Sequence, residues 1–477
     1  MLSDNYSRIV ISGLAGDSGK TVVSCGLLAC LKERGTNICA FKKGPDYIDA
    51  AWLSLASGKP ARNLDTYMMG FSAAKKSFLK TAASDGINII EGNRGLFDGV
   101  DSKGTHSSAE LAKLLKAPVI IVQDVSKVTR TAAASILGCQ KLDPDLKIAG
   151  VILNKVAGER HGKIAKEAIE ELTGIPVLGF IPKLPGNYTL PSRHLGLITP
   201  GEYEAGSVFI NNFKKVIEEN VDVEKIIEIV RTSASLKIEK PENVNPKFNS
   251  AKVKIGYFRD KSFSFYYPEN LEMLTEAGAD LIEISSTQYT DLEELDALYI
   301  GGGFPETNLE ELSSNKEMMS SLKNLVEDGL PVYAECGGLM YLAKSVSWKG
   351  KEYSLSGILP MKIMVEEKPQ GHGYSEVIVD DENPFFDTGT IIKGHEFHYS
   401  KIYEYDQSLK TTYSVSRGTG CFSEGTFRNN RDGLTYKNVC ASYFHIHALA
   451  TPEWIEGMII SAQKYKELKK TKILIER

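Results

Sequence analysis

The stretch RIVISGLAGDSGKTVVSCGLL, Arg8–Leu28, passes from apolar residues through a small-residue loop into Gly19-Lys20-Thr21 and then a helical pattern. Its order is strand, loop, helix. A phosphate-binding loop has the form Gly-x4-Gly-Lys-Ser/Thr, with backbone N–H groups wrapping phosphate oxygens at a helix start. Counting back from Gly19 puts Leu14 where the first glycine belongs, and Gly13 stands one residue further away. The loop is therefore Gly-x5-Gly-Lys-Thr. Gly16, Asp17, Ser18, Gly19 and Lys20 are expected to cradle the phosphates of ATP, with Lys20 reaching the β- and γ-phosphates and the Thr21 hydroxyl on Mg2+.

Outward from this loop, short β-branched runs alternate with amphipathic stretches. Arg8–Ser12, Asn37–Phe41, Asn88–Glu91, Val119–Gln123, Ile148–Leu153 and Val177–Ile181 read as strands; Val22–Arg34, Ser107–Leu115 and Lys163–Leu172 read as helices. Strands that are apolar throughout and separated by helices predict an α/β fold with a parallel sheet covered on both faces. Around Ser233–Ser250 the composition turns to Lys, Glu, Asn and Pro without periodicity, as in a linker. A second alternation follows, with strands Val253–Phe258, Asp280–Glu283, Ala297–Ile300 and Pro331–Ala334 and a helix Asn270–Glu276; Ser345–Val439 looks partly antiparallel. The expected division is a domain over 1–232, a linker over 233–252 and a second α/β domain over 253–477.

Bulk properties narrow the function classes. A formal charge of -5 on 477 residues gives no electrostatic case for nucleic acid or an anionic membrane. No apolar run approaches membrane-spanning length, and the first residues lack a signal pattern. Seven scattered cysteines, none in a Cys-x2-Cys pair, suit a reducing cytoplasm and not a disulfide framework or structural zinc site.

Acidic residues gather after two of the strands. Asp46 and Glu91 each end or closely follow one, on the edge where the phosphate loop lies, and can share Mg2+ with Thr21. Asp49 and Asp98 lie a few residues on, where a substrate carboxylate or ammonia would be oriented.

The shifted glycine resembles the loop of dethiobiotin synthetase-like ATPases, which make carboxyl phosphates. FKKGPDYIDAAW (Phe41–Trp52), RNLDTYM (Arg62–Met68) and EGNRGLFDG (Glu91–Gly99) resemble motifs of the cobyrinic acid a,c-diamide synthase family. That resemblance covers nearly the whole chain. It implies a P-loop-type synthetase domain and a glutaminase domain that together amidate two acetate side chains of a corrin precursor, using ATP, Mg2+ and glutamine. It also implies that Tyr47 lies in the substrate loop and that Asn154, in VILNKV, contacts adenine, although a turn-forming asparagine fits there as well. Ser126, Arg130, Arg193 and His194 match the family pattern and would touch phosphate or substrate carboxylates. A homodimer is compatible with it.

In PVYAECGGLMYL, Cys336 stands between an apolar strand and a helical pattern with glycines just after it, the layout of a nucleophile elbow. A helix N-terminus there is expected to lower its thiol pKa. His445 in ASYFHIHALATPEW is the candidate base, and Gly302 and Gly303 of YIGGGFPE with Gly337 are candidates for an oxyanion hole. This half resembles a class I glutamine amidotransferase of the cobyric acid synthase type. Members of that class usually have His-Pro-Glu, whereas here His447 occupies the acid's place, as in the branch lacking the usual third member. His395 and His398 would order the glutaminase core or approach the tetrapyrrole; no third ligand accompanies them for a metal.

Three other readings compete. A nucleotide-switch partitioning ATPase would carry a second lysine near the loop start and needs no Cys–His pair. Cobyric acid synthase typically has Gln-Asn in place of the DYID substrate loop. Sister enzymes acting on hydrogenobyrinic acid or nickel-sirohydrochlorin are not separated by these motifs. The charged helix near Ala462–Lys472 is expected to pack on its own domain.

Overall fold

Apolar β-branched runs build a seven-stranded sheet from β1 Ser7–Gly13, β2 Ile38–Lys43, β3 Arg62–Leu64, β4 Ile87–Gly95, β5 Val119–Asp124, β6 Ile148–Val156 and β7 Val177–Pro182. Its order is β3-β2-β4-β1-β5-β6-β7, and every pairing is parallel. The computed structural model describes residues 6–185, 192–193, 196–202, 205–236, 252–422 and 430–476. The chain divides into two compact units, Met1–Glu242 and Asn243–Arg477.

Alternation along β1 sends side chains to two separate cores. Ile9 and Ile11 join helix α1 (Lys20–Glu33) and helix Gly206–Asn220 on one face, while Val10 joins helices Ser108–Leu114 and Arg130–Leu142 on the other. Both faces being covered explains why the strands read as continuous apolar runs. In open parallel sheets ligands bind beyond the carboxyl ends of the strands, and the phosphate loop after β1 lies at that edge. Ser233 and Leu236, assigned to the linker on composition, belong to the first unit. Leu236 is buried in its core, and the backbone N–H of Arg8 donates to Ser233 Oγ at 3.2 Å. The rest of the expected linker, 237–251, lies outside the described residues.

The second unit holds a nine-stranded sheet. Ala279–Ile284, Val253–Phe258, Ala297–Ile300, Val332–Glu335 and Val439–Ser442 run parallel in that spatial order. Arg431–Tyr436, Lys410–Arg417, Gly371–Val379 and Ile391–His398 continue the sheet antiparallel. A four-stranded sheet of Lys351–Ser354, Ala343–Trp348, Leu359–Val365 and Ser400–Tyr405 stands beside it. The last helix, Pro452–Glu476, buries Trp454, Met458 and Ala462 in this unit's core. Among the described residues no helix is long and apolar enough to cross a membrane.

Candidate active sites

The phosphate loop is closely packed at its first and last glycines. A Cβ on Gly13 would overlap Ser18 Oγ, and one on Gly19 would overlap Asn154 Nδ2. Gly19 also takes φ 95°, which favours glycine. The Lys20 ammonium lies within the loop, donating to the Ala15 carbonyl at 3.0 Å and to Ser18 Oγ at 3.4 Å. Burial, then the neighbouring Lys42 charge, lower the Lys20 pKa.

Lys42 organises the carboxylates, and sequence reasoning missed it. It is the penultimate residue of β2, with its side chain fully buried, donating to Asp49 Oδ2, to Glu91 Oε1 at 2.8 Å and to the Gly92 carbonyl at 3.2 Å. Burial opposes its charge, but Asp49 and Glu91 outweigh that and hold the ammonium protonated above its usual range. The same Glu91 oxygen accepts the Thr21 hydroxyl at 2.9 Å. Burial raises the Glu91 pKa despite Lys42, and burial followed by Asp49 raises Asp46 to about 6.

These contacts revise the expected sorting of acids. Asp49 is joined to Glu91 through Lys42, whereas Asp46 is the N-cap of helix α2 (Tyr47–Ser57) and accepts the Asp49 N–H at 2.8 Å. Asp98 is exposed and accepts the Gly95 N–H at 2.9 Å, closing the turn after β4. Tyr47 opens α2. Among the described residues no group of three or more His, Cys, Asp and Glu is arranged to hold a metal. Mg2+ in phosphate sites needs only one or two carboxylates beside the phosphates. The fit is good: among the described residues Glu91 Oε2 is buried without a hydrogen-bond partner, while its other oxygen accepts the Thr21 hydroxyl.

Asn154 faces the loop. Its Nδ2 donates to the Ser18 carbonyl at 2.8 Å and its Oδ1 accepts the Lys155 N–H at 2.8 Å, so this side chain braces the loop backbone. Lys155 adds a bond to the Asp17 carbonyl at 3.3 Å and an ion pair to Asp124 at 2.6 Å. Ser126 and Arg130 are exposed after β5. The Arg193 side chain and His194 lie outside the described residues.

In the second unit the candidate nucleophile is strained. Cys336 has φ 47° and ψ -96°, between the strand Val332–Glu335 and the helix Gly337–Leu342. Its N–H is tied to the Ser442 carbonyl at 2.7 Å. A Cβ on Gly338 would overlap the Ile300 carbonyl, so the turn closes only over glycine. The expected thiolate does not follow. Burial, with Glu306 and Glu335 adding negative charge, pushes the thiol well above its usual value, against the lowering effect of the Gly337 N–H.

The glycine loop supplies donors by peptide geometry. The Gly302 carbonyl accepts from Ser264 and Phe265 N–H at 3.1 and 3.0 Å. In a trans peptide the following N–H points the opposite way. Gly303 N is thereby turned towards Gly337, where an added Cβ would stand 3.1 Å from it. Gly302 makes room for the base, since its own Cβ would lie 2.5 Å from His445 Cε1.

His445 does not rely on His447. Its Nδ1 stands 3.1 Å from Oε2 of Glu335, a carboxylate with no exposure. The His447 ring packs on Tyr267 with centroids 4.7 Å apart, and its Nδ1 accepts the Leu449 N–H at 3.2 Å. His395 stacks on His445 at 5.0 Å, and His398 stacks on Tyr443 at 3.8 Å. Glu335 immediately precedes the cysteine, the one signal in the sequence that points to it.

A phosphate loop with its carboxylates on one unit, and a cysteine elbow, a carboxylate-held histidine and a glycine loop on the other, fit a nucleotide-binding domain joined to a glutamine amidotransferase. Residues 9–198 match the CobQ/CobB/MinD/ParA nucleotide binding domain, and residues 254–453 match the CobB/CobQ-like glutamine amidotransferase domain. The chain is 40% identical to the cobyrinate a,c-diamide synthase of Magnetococcus marinus over 94% of this chain and 95% of that protein. It is 38% identical to the enzyme of that name in Archaeoglobus fulgidus, over 98% of this chain and 100% of the other. With the Caldanaerobacter subterraneus protein of that name the figures are 40% identity over 94% and 97%. The chain belongs to the cobyrinate a,c-diamide synthase family.

Proposed function

We propose that this chain amidates the a- and c-acetate carboxylates of a cobyrinate-type tetrapyrrole, with ATP and Mg2+ activating each carboxylate and glutamine supplying the nitrogen. The observation that carries this reading is Lys42, a buried cation held between Asp49 and Glu91 beside the phosphate loop, in a chain that also has the Cys336–His445 elbow. A carboxylate is a poor electrophile, so activation precedes nitrogen entry. A substrate carboxylate oxygen attacks the γ-phosphorus, an O–P bond forms, and the bond to ADP breaks. Lys20 and Lys42 offset charge on the transferring phosphoryl group. Thr21 and Glu91 would hold Mg2+, which would supply neutralisation of phosphate charge.

At the other unit, Cys336 Sγ attacks the glutamine carboxamide carbon. Its proton passes to His445 and then to the departing ammonia. The N–H groups of Gly303 and Gly337 stabilise the oxyanion. Water hydrolyses the thioester to glutamate, and the ammonia attacks the acyl carbon, expelling phosphate. Burial of the thiol suits this order, since the proton leaves only as the bond to carbon forms.

Incubation with glutamine labelled with 15N in its amide, ATP and each candidate tetrapyrrole tests the reading by mass spectrometry. Two labels are expected in cobyrinate, with one ADP formed per label. Label entering only nickel-sirohydrochlorin or hydrogenobyrinate moves the substrate to that sister compound. Absence of label from all three overturns the proposal.

A further inference from the structure

The strand carrying the nucleophile also carries the group that orients its base. Glu335 is the last residue of Val332–Glu335, directly before Cys336, and lies opposite Ser442 on the neighbouring parallel strand. Three residues later on that neighbouring chain segment comes His445. Glu335 Oε2 meets His445 Nδ1 at 3.1 Å and accepts the Tyr299 hydroxyl at 3.3 Å, while Oε1 accepts the Ile446 N–H at 3.3 Å. One carboxylate therefore grips both the imidazole and the backbone that carries it. Asn270 fixes the same segment from the other side, donating to the Ile446 carbonyl at 3.2 Å and accepting the Ala448 N–H at 2.7 Å.

We infer that Glu335 is the positioning acid of the glutaminase site, taking the place that a glutamate two residues after the histidine has in other class I enzymes. The inference rests on the Cys336–His445 reading of that site. With a carboxylate on Nδ1, the proton sits there and Nε2 is left as the base. Nε2 is on the side of Gly302, where an added Cβ would stand 3.3 Å from it. The imidazolium formed during thiol attack is stabilised by the adjacent negative charge. Other titratable groups packed here are Cys336, Tyr299, Tyr266 and His395. Burial, then proximity to His445, keeps His395 neutral, so Glu335 is the charge that His445 meets at hydrogen-bond distance.

His447 faces a different acid. Its Nε2 is 3.6 Å from Glu269 Oε2, and its packing on Tyr267 makes it part of the wall beneath the segment. The acid has thus moved from the histidine strand to the nucleophile strand, and the two ends of the relay are fixed by adjacent strands of one sheet.

Glu335→Gln keeps the shape and an acceptor oxygen but removes the charge. Glutamine-dependent kcat should fall about 10²- to 10⁴-fold with KM for glutamine within about threefold, while ammonia-dependent amidation stays near wild type. Glu335→Asp keeps the charge and should recover at least about tenfold of the kcat lost in Glu335→Gln, with KM for glutamine still within about threefold of wild type; a merely structural loss would not be rescued by the shorter acid. His447→Gln should keep glutamine-dependent kcat within about threefold. Should Glu335→Gln disturb folding, Glu335→Asp against Glu335→Ala carries the test, the charged variant being the more active in glutamine-dependent turnover. Glutamine-dependent turnover of Glu335→Gln within twofold of wild type, or no gain from the charge of Glu335→Asp, overturns the inference. Cys336→Ala measured alongside separates the two levels: if it too keeps full glutamine-dependent activity, the glutaminase reading itself has failed.

Discussion

The Lys42 ammonium stands 2.8 Å from Glu91 Oε1, and that oxygen also accepts the Thr21 hydroxyl at 2.9 Å. The phosphate loop is thereby joined to Lys42 of β2 and Glu91 of β4 through one shared atom. Removal of the cation leaves Asp49 and Glu91 facing each other without compensation, and truncating one partner of a buried ion pair is strongly destabilising.

Lys42→Met is expected to destabilise the first unit by about 3–5 kcal/mol and to abolish amidation with glutamine or ammonia as the nitrogen source. Lys42→Met combined with Glu91→Gln should regain part of the stability without regaining activity. Chemical denaturation followed by steady-state assays checks both. Ammonia-dependent turnover in Lys42→Met near wild type would show that the cation does not serve phosphoryl transfer.

Asn154 separates a strut from a base contact. Its amide holds the Ser18 carbonyl and the Lys155 N–H. Asn154→Ala should weaken ATP and GTP binding equally, by about tenfold, as expected for a lost buried hydrogen bond. Titration with both nucleotides decides it: selective loss of ATP affinity would restore the adenine role.

Much of this architecture is legible in the sequence. Val253–Phe258 and Ala297–Ile300 have the predicted boundaries because each is a short apolar run closed by turn or charged residues. The strand Arg62–Leu64 has three residues, too few for a periodic signal, and α2 begins inside a motif whose charges read as loop. Lys42 and Glu335 were hidden for one reason. A charge near a strand end ordinarily reads as solvent-facing, and only tertiary pairing makes it a buried partner. The motifs at Gly13–Thr21 and Cys336 are local and so are legible as candidates; the side chains that contact them are tertiary.

Asp432 gives the second unit a pH-dependent term. Burial raises its carboxyl to about 7, and its Oδ1 accepts from Cys421 Sγ and the Gly433 N–H, both at 2.7 Å. From about pH 4 to about pH 7 the folded chain keeps a proton there that the unfolded chain has lost, so stability falls as pH rises through that window. Asp432→Asn can keep both bonds and cannot ionise. It should therefore gain stability over wild type at pH 8 by at most ~4 kcal/mol, and show little difference near pH 4. Urea unfolding at the two pH values measures this; an equal effect at both would contradict the assigned titration.

The central claim is that the two units divide the labour, one activating a carboxylate and the other releasing ammonia. Cys336→Ala removes the sulfur at the elbow and leaves Lys20, Lys42, Asp49 and Glu91 untouched. Measured with glutamine and, separately, with high ammonium salt at alkaline pH, where free ammonia is plentiful, this variant should lose glutamine-dependent amidation by at least about 10³-fold and keep ammonia-dependent amidation near wild type. Full turnover of Cys336→Ala with glutamine as the sole nitrogen source would contradict the account.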